Sequence, residues 1–321
     1  MTPAIELIGI DKRFGAVHAN NNVSISITAG TIHGIIGENG AGKSTLMSIL
    51  FGFYHADKGE IRLRGKPVKI KTSTDAISLG IGMVHQHFML VEPFTVLENI
   101  ILGVEGGAFI GPALDKARIA LKHLADEYEL DVDPSAIVGE LPVGLQQRVE
   151  ILKALYKGAE VLILDEPTGV LTPAEADHLF RILKQLRDQG KTIILITHKL
   201  REIMAITDRV SVMRRGEVVA EFDTAKTNVG ELAEAMVGRR VLLRVEKTKG
   251  KPGDVILDVQ HLTWRDKKNI ARVDDVSFTV RKGEIVGIAG VSGNGQSELL
   301  DVITGITRAT SGHVLFEGED V

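Results

Sequence analysis

The sequence predicts an α/β fold built on a mostly parallel, layered sheet, and three observations lead to that prediction. Apolar residues alternate with polar ones at 4–10 and 22–28, as they do in half-buried strands. Short apolar runs at 31–37, 161–169 and 192–198 are typical of strands buried on both faces, and helical patterns separate them. The chain has 34 glycines but only 4% aromatic residues, a composition that favours many tight strand-to-helix turns.

The segments between these strands read mainly as helices. Apolar residues fall on one face of 43–53, and 96–158 has a helical pattern apart from a glycine-rich break at 103–112 and a turn near Pro134. A strand and turn are predicted at 59–68, and a short helix followed by a hairpin around 214–217 closes this part of the chain.

One helix, predicted at 173–189, has well-marked ends. Thr172 is expected to cap its N-terminus, with Pro173 in the first helical position and Glu175 completing a capping box. Gly190 follows as the residue that leaves the helix in a left-handed conformation.

Composition excludes several classes of function. The chain has 321 residues, a formal net charge of −4 and no cysteine, which rules out disulfides, thiolate metal sites and cysteine nucleophiles. A charge so near zero gives no reason to expect nucleic-acid binding. The sequence has no apolar run of the ~18 residues that a membrane span needs, and its N-terminus does not resemble a signal peptide. We therefore expect a protein that is soluble, or attached to a membrane only through partners.

A phosphate-binding loop is predicted between the strand at 31–37 and the helix that follows. The segment 37–44 has the pattern G-x-x-x-x-G-K-S, in which backbone N–H groups and the helix N-terminus surround an anion. Lys43 would reach the β- and γ-phosphates of a nucleotide, and the Ser44 hydroxyl would bind Mg²⁺. The predicted nucleotide-binding residues are Gly37, Glu38, Asn39, Gly40, Ala41, Gly42, Lys43, Ser44 and Thr45.

Charged side chains follow two further predicted strands. The strand 161–165 leads into Asp165 and Glu166, and the strand 192–198 ends at His198. Because the carboxyl ends of parallel strands share one edge of a sheet, these residues should lie near the loop. Asp165 would hold Mg²⁺, Glu166 would polarise a water molecule, and His198 would contact a γ-phosphate.

The chain contains an internal repeat. The segment 32–52 recurs as 285–305, an offset of 253 residues, and later glycines keep the same register. We expect one domain at 1–240, a linker at 241–254, and the start of a second copy at 255–321. Because that copy stops at Val321, either the chain is a fragment or the second copy is vestigial.

The second copy of the loop has lost its lysine, because Gln296 stands where Lys43 stands in the first. The backbone could still surround an anion, which would leave one competent and one degenerate nucleotide site. The alternative is that Gln296 is a polar residue on a purely structural loop. The residues of this degenerate loop are Gly290, Gly293, Gly295, Gln296 and Ser297.

These motifs resemble those of the nucleotide-binding subunits of ABC transporters. The segment 141–148 lies about 20 residues before Asp165, where that family has its LSGGQ-type signature. The chain contains two related units, and this feature and the amino-acid sequence of 85–103 are most similar to the branch that imports simple sugars and nucleosides. The resemblance implies a P-loop NTPase fold with a RecA-like sheet, and a helical subdomain at about 90–155 that docks on membrane subunits.

The resemblance also assigns roles to individual residues. Gln86 corresponds to the Q-loop glutamine, a catalytic residue that also holds Mg²⁺, Glu166 to the catalytic base, His198 to the switch histidine, and Phe14 to the aromatic residue that stacks on adenine. The signature residues are Leu141, Pro142, Val143, Gly144, Leu145 and Gln146. Two of them depart from the family pattern: Pro142 replaces a serine whose hydroxyl would meet a γ-phosphate, and Leu145 replaces Glu or Gln.

The implied function is that of the ATPase subunit of an ABC importer for nucleosides or simple sugars, with ATP and Mg²⁺ as cofactors. It would lie at the cytoplasmic face of the membrane as a peripheral protein. Its partners would be integral membrane permease subunits, an extracytoplasmic solute-binding protein and a second ATP-binding unit, with no nucleic acid. Two alternatives are a soluble ABC-type ATPase that acts on ribosomes or DNA, which Gln296 and the short linker disfavour, and a P-loop small-molecule kinase, which has no need of a signature helix.

Overall fold

The computed structural model describes residues 3–85, 88–103, 111–239, 250–290 and 293–321. The chain separates into two compact units, Met1–Leu243 and Arg244–Val321.

Within the described residues, the first unit combines two sheets with a set of helices. Its strands are β1 (Pro3–Phe14), β2 (Val17–Thr28), β3 (Ile32–Ile36), β4 (Lys58–Leu63), β5 (Lys66–Val68), β6 (Ile81–Val84), β7 (Val161–Asp165), β8 (Thr192–Ile196), β9 (Arg209–Arg214) and β10 (Glu217–Asp223). Its helices are α1 (Lys43–Leu50), α2 (Ser73–Ser78), α3 (Val96–Ile101), α4 (Gly111–Tyr128), α5 (Val143–Tyr156), α6 (Pro173–Asp188), α7 (Leu200–Ile206) and α8 (Val229–Val237), with 3₁₀ turns at Val138–Glu140 and Thr224–Lys226.

The central sheet is parallel, as the sequence predicts. Its strand order is β10-β9-β3-β8-β7-β6, with β10 antiparallel to β9 and the other neighbours parallel. All five residues of β3, of β7 and of β8 are buried, which explains why these strands are mostly apolar instead of alternating. The loops that follow these three strands leave the sheet at the same edge.

The strands predicted at 4–10 and 22–28 form a sheet of their own. Strands β1 and β2 are an antiparallel hairpin that runs almost without a break from Pro3 to Thr28, and β4 and β5 extend this sheet in the order β2-β1-β4-β5. They are longer than predicted because the polar residues 18–22 pair across the hairpin although they bury little apolar surface.

The parallel sheet is covered on both faces. Ile35, Ile163 and Ile194 face one cluster of buried residues, which includes α1 and the antiparallel sheet. The intervening residues of the same strands, such as Ile36 and Leu195, face a second cluster formed with α5, α6 and α7. Helices α3 and α4 join this second cluster, so the segment predicted to be mainly helical packs as helices. The predicted break at 103–112 lies largely outside the described residues.

Helix α6 begins as predicted. The Thr172 hydroxyl accepts a hydrogen bond from the Glu175 backbone N–H at 3.4 Å, while the Glu175 carboxylate accepts one from the Thr172 N–H at 2.8 Å. Pro173 occupies the first turn and the helix ends at Asp188. Gly190 follows in the left-handed region, with φ +90°.

The second unit contains β11 (Val255–Arg265), β12 (Ala271–Arg281), α9 (Gln296–Ile303), β13 (Ser311–Phe316) and β14 (Glu319–Asp320). Its sheet has the order β12-β11-β13-β14 and repeats the arrangement β2-β1-β4-β5 of the first unit. The segment 284–290, which repeats β3 in sequence, forms no strand, and Ile285 is 96% exposed. In the first unit β3 lies between β8 and β9, and within the described residues the second unit has no strands equivalent to those two.

Among the described residues, no helix is both long enough and apolar enough to cross a membrane.

Candidate functional site

The glycine-rich loop joins β3 to α1, as predicted. Gly40 and Gly42 have φ angles of +81° and +96°, a region that residues with a Cβ rarely adopt. Gly42 is the N-cap of α1, and a Cβ on it would lie 2.2 Å from the Ala19 carbonyl oxygen of β2. A glycine is therefore required at 42 by packing as well as by backbone conformation.

Lys43 is almost fully buried, with 5% of its surface exposed. Its Nζ donates hydrogen bonds to the carbonyl oxygens of Gly37 at 2.8 Å and Glu38 at 3.0 Å. Burial lowers the pKa of Lys43, while the nearby carboxylates of Glu166 and Asp165 act in the opposite direction. The ammonium group is thus held inside the loop, close to two acidic side chains.

Asp165 ends β7 beside the first turn of α1. It accepts a hydrogen bond from the Ser44 side chain, and burial raises its pKa above the usual value. Its Oδ1 is buried and has no hydrogen-bond partner within the described part of the chain. A buried carboxylate oxygen without a donor, next to a serine hydroxyl, fits a hard divalent cation such as Mg²⁺. Nowhere in the described ranges do three His, Asp or Glu side chains converge on a metal position, so substrate oxygens would have to complete such a site.

Glu166 and His198 are neighbours, although 32 residues separate them in sequence. Glu166 Oε1 lies 2.9 Å from His198 Nδ1, which is hydrogen-bond distance. The Glu166 backbone N–H donates to the Ile196 carbonyl at 2.9 Å, and this bond ties the ends of β7 and β8 together. Glu166 has a φ of +47°, an uncommon conformation for a residue that is not glycine.

Lys43, Ser44 and Glu166 line a cleft of about 600 Å³, whereas Asp165 and His198 are not among its lining residues. Phe14 also lines this cleft; it is 42% exposed, and its ring makes an edge contact with Tyr54, the centroids lying 5.1 Å apart. An exposed aromatic ring and a buried lysine therefore border the same cleft. Its lining consists of Phe14, Val17, His18, Ala19, Asn39, Gly40, Ala41, Gly42, Lys43, Ser44, Thr45, Glu166 and Arg215.

The predicted signature residues lie at the start of α5 and do not line this cleft. Pro142 is the N-cap residue and offers no side-chain cap, but its carbonyl accepts hydrogen bonds from the N–H groups of Leu145 and Gln146 at 2.9 and 3.1 Å. The helix therefore begins normally despite the proline. Gly144 packs against α6, because a Cβ there would lie 2.6 Å from Glu175 Oε1. The remaining members of the segment are Leu141 and Val143.

Several residues that support the loop carry no sequence signal. The buried Asn20 donates from Nδ2 to the Gly42 carbonyl at 3.1 Å, and Gly216, in the turn between β9 and β10, donates its N–H to the Ala41 carbonyl at 3.1 Å. Arg215 of the same turn lines the cleft. This turn lies more than 170 positions from the loop that it supports, so only a sequence signal that links residues so far apart could have identified it. Gln86, the other predicted site residue, lies outside the described residues.

The loop of the second unit repeats the backbone of the first. Gly293 and Gly295 have φ angles of +88° and +89°, and a Cβ on Gly295 would lie 2.2 Å from the carbonyl oxygen of Arg272. The offset of 253 residues relates Arg272 to Ala19, so the same contact recurs in the same register. Gln296 and Ser297 begin α9, and the Gln296 amide packs so closely on Gly290 that a Cβ there would lie 1.8 Å from Nε2. The second loop thus keeps the turn and presents an amide where the first presents an ammonium group.

Comparison with known proteins agrees with this geometry. The sequence profile described as ABC transporter matches residues 20–169 and 273–321. The chain is 49% identical over 321 residues to "Guanosine import ATP-binding protein NupO" of Bacillus subtilis, covering all of this chain and 63% of that protein. It is 48% identical over 317 residues to "Nucleoside import ATP-binding protein NupA" of Lactococcus lactis subsp. cremoris, covering 99% of this chain and 63% of that protein. The chain thus spans somewhat less than two thirds of the length of these curated relatives.

Solved structures match the first part of the chain. The ADP conformation of an ATP-binding cassette of an ABC transporter superposes with a TM-score of 0.65 at 27% identity, covering 74% of this chain and all of that one. A nucleotide-free ATP-binding cassette from an ABC transporter gives a TM-score of 0.63 at 27% identity, covering 74% and 95%. With its loop, its paired acids and the profile match over both units, this chain belongs to the ABC transporter family.

Proposed function

We propose that this chain binds ATP with Mg²⁺ in the cleft around Lys43 and hydrolyses it, as the ATP-binding part of an importer for nucleosides or simple sugars. The observation that supports this most strongly is the convergence of Lys43, Asp165, Glu166 and His198 at one edge of the parallel sheet. A buried ammonium, a buried carboxylate with a free oxygen and a carboxylate paired with an imidazole are the groups that phosphoryl transfer to water requires.

The triphosphate would lie over the glycine-rich loop. Lys43 would exchange its bonds to the carbonyls of Gly37 and Glu38 for bonds to the β- and γ-phosphates, and the first N–H groups of α1 would bind phosphate oxygens. Phe14 would stack on the adenine ring at the open side of the cleft. Ser44, Asp165 and Gln86 would hold Mg²⁺, which when bound draws negative charge from the phosphate oxygens.

Glu166 would act on the attacking water. As the water oxygen forms a bond to the γ-phosphorus, the bond from that phosphorus to the bridging oxygen breaks, ADP leaves with that oxygen, and a proton of the water passes to Glu166 Oε. His198, at 2.9 Å from Glu166, would hold the carboxylate in place and contact the γ-phosphate. Lys43 and the loop N–H groups stabilise the charge of the transferred phosphoryl group.

The complete hydrolytic site needs a second ATP-binding unit in this proposal. The signature segment 141–146 does not line the cleft of its own unit, so it would meet the nucleotide of another unit, either that of a second copy of this chain or that of a longer protein. We further propose two binding domains, 1–240 and one that begins with 255–321 and its degenerate loop, separated by a linker at 241–254.

The other partners are permease subunits in the membrane and an extracytoplasmic solute-binding protein, and the chain would work at the cytoplasmic face. A groove of about 160 Å³ beside α5, lined by Phe51, Phe53, Met83, Met89 and Lys153 among others, offers an apolar surface for a permease segment. The relatives named above are nucleoside and guanosine import ATP-binding proteins at 48% and 49% identity, and "Glucose import ATP-binding protein TsgD13" of Haloferax volcanii is 46% identical. Nucleosides and simple sugars are therefore both proposed as solutes.

The test compares ATP binding and phosphate release for the unsubstituted chain, Lys43→Ala and Glu166→Gln. Lys43→Ala should lose most of its ATP affinity, and Glu166→Gln should keep affinity and lose turnover, since only activation of water is removed. Lys191→Ala, which removes a surface lysine paired with Glu160, is the matched control. Unchanged ATP affinity in Lys43→Ala would refute the binding site, and normal hydrolysis by Glu166→Gln would refute the assignment of the base. Association with membranes that contain the permease, as opposed to ribosomes or DNA, distinguishes the importer from a soluble ABC-type ATPase.

A further inference from the structure

A buried hydrogen-bond network lies behind the pair formed by Glu166 and His198. One oxygen of the Glu202 carboxylate, on α7, accepts a hydrogen bond from the Thr168 hydroxyl, and the other accepts one from the Thr197 hydroxyl at 3.0 Å. Thr168 lies two residues after Glu166, and Thr197 immediately precedes His198. A single carboxylate therefore joins the two loops that carry the proposed base and the imidazole.

Lys199 completes this network. Its Nζ donates to the Thr168 carbonyl and to the Thr168 hydroxyl, both at 3.0 Å, and lies 3.3 Å from Glu202 Oε1. Its backbone N–H donates to the Thr197 hydroxyl at 3.1 Å. Each threonine hydroxyl therefore donates to Glu202 and accepts from Lys199. All four members are satisfied, which is the condition under which a buried polar network is rigid.

Three of the four members of the network are sheltered from solvent, whereas the Lys199 side chain is 41% exposed. Thr168 and Thr197 are 3% and 1% exposed, and Glu202 is 9% exposed. None of the three lines the cleft around Lys43, so contact with the nucleotide does not explain them. A buried carboxylate is costly unless its partners are in place, and displacing either loop would remove the hydroxyl donor from one of the Glu202 oxygens.

The backbone at Glu166 needs such restraint. Its φ of +47° is a conformation that a glutamate holds only when its surroundings fix it. The segment that follows is fixed from two sides: the buried Gln147 of α5 donates to the Pro167 carbonyl at 2.7 Å, and Glu202 and Lys199 hold Thr168. These contacts add to the turn's own hydrogen bond, in which the Gly169 N–H donates to the Glu166 carbonyl at 3.2 Å.

We propose that Thr168, Thr197 and Glu202 are positioning residues, which set the distance and orientation of Glu166 relative to His198 for attack of water on the γ-phosphate. This proposal rests on the proposed function. None of the three lines the cleft, so their effect would pass through the two loops that they join. The consequence is that turnover depends on the network much more than nucleotide affinity does, since the phosphate-binding groups belong to the loop at 37–44.

The test uses the full chain with Thr168→Val and Thr197→Val, each of which removes a hydroxyl and keeps the side-chain shape. Hydrogen bonds to a charged group are strong enough that kcat should fall roughly tenfold to a hundredfold, while the Kd for ATP changes less than about threefold. Thr168→Ser and Thr197→Ser restore the hydroxyl and should return kcat to within about threefold of the unsubstituted chain.

Thr207→Val is the matched control. Thr207 is buried at the other end of α7, and its hydroxyl donates to the Ile203 carbonyl at 2.8 Å and pairs with Thr224, away from the cleft. Any loss of turnover that comes only from a weakened α7 should appear equally in this variant. The proposal is overturned if Thr207→Val lowers kcat as much as the other two valine variants, or if those variants lower ATP affinity as much as kcat.

A second measurement does not require hydrolysis. The ring ¹H–¹³C cross-peak of His198, assigned through its loss in His198→Gln, should shift in Thr168→Val and Thr197→Val but not in Thr207→Val. If the unsubstituted chain neither binds nor hydrolyses ATP, the proposed function fails while this cross-peak still reports on the network. An unmoved cross-peak in both variants overturns the positioning role whatever the activity is.

Discussion

Replacing Gly42 by alanine should destabilise the first unit more than the same change at Gly40. Both glycines have positive φ angles, so each alanine must adopt a left-handed conformation. They differ in surroundings: a Cβ on Gly40 has no atom within 4 Å, whereas a Cβ on Gly42 would lie 2.2 Å from the Ala19 carbonyl oxygen. The pair therefore separates the conformational cost from the packing cost within one loop.

The expected magnitudes follow from these two terms. Holding an alanine in the left-handed region costs about 1–2 kcal/mol, which is the whole effect expected for Gly40→Ala. At Gly42 the clashing atom is backbone, so β2 or the start of α1 must move by roughly 1 Å, and overpacking of this kind adds about 1–3 kcal/mol. Gly42→Ala should therefore lower the free energy of unfolding by about 2–5 kcal/mol.

Chemical denaturation followed by circular dichroism measures the two variants against the unsubstituted chain. The slope of the free energy against denaturant concentration should stay the same, so that the midpoints can be compared directly. If Gly42→Ala is no less stable than Gly40→Ala, the contact with Ala19 does not constrain the loop and the packing argument is wrong.

Three further predictions concern pH, the signature helix and the base of the nucleotide. Burial, helped by Arg209, lowers the pKa of His33 to about 4, so the folded state favours the neutral imidazole. The free energy of unfolding should therefore be highest above pH 6.5 and fall by about 3 kcal/mol as the pH drops to 4. His33→Gln should flatten this pH dependence in urea titrations. Pro142→Ser supplies the missing side-chain cap of α5 and should add up to ~1 kcal/mol to the free energy of unfolding. If two chains share a site, this variant should also release phosphate faster as the protein concentration rises. A release rate that does not depend on concentration would exclude a shared site. Phe14→Ala should weaken ATP binding by ~1–3 kcal/mol in equilibrium titrations and leave the binding of inorganic triphosphate unchanged. An equal loss of affinity for both ligands would contradict stacking of Phe14 on adenine.

The parallel sheet could be predicted, as could the edge of it that carries the candidate site, because their sequence signals are local. Three apolar runs, followed respectively by a glycine-rich loop, by two acids and by a histidine, are short and complete in sequence, and the capping box at Thr172 needs only four residues. The separate antiparallel sheet could not be predicted in the same way. Residues 18–22 are mostly polar, and they extend the hairpin because they pair with β1 and not because of any pattern of their own.

The residues that hold the site in place could not be predicted from the sequence either, for a related reason. The Gly216 N–H and the Asn20 amide hold the loop from elements distant in sequence, and Glu202 reads as an ordinary acid in a short helix. Their contribution depends on which backbone groups meet in space, which composition and periodicity do not record. The segment 284–290 shows the opposite case: it repeats β3 in sequence but forms no strand, because a strand requires neighbours as well as a local pattern.

The recurrence of one steric contact in both loops changes how a glycine-rich motif should be judged. The carbonyl of Ala19 excludes a side chain at 42, and the carbonyl of Arg272 excludes one at 295, whether or not a phosphate ever occupies the loop. A duplicated loop can thus lose its ligand and still keep its glycines, since substitution there would disturb the hairpin that packs behind it. For proteins with two such units, we therefore expect the residue after the last glycine, Lys43 in one and Gln296 in the other, to indicate nucleotide binding better than the glycines do.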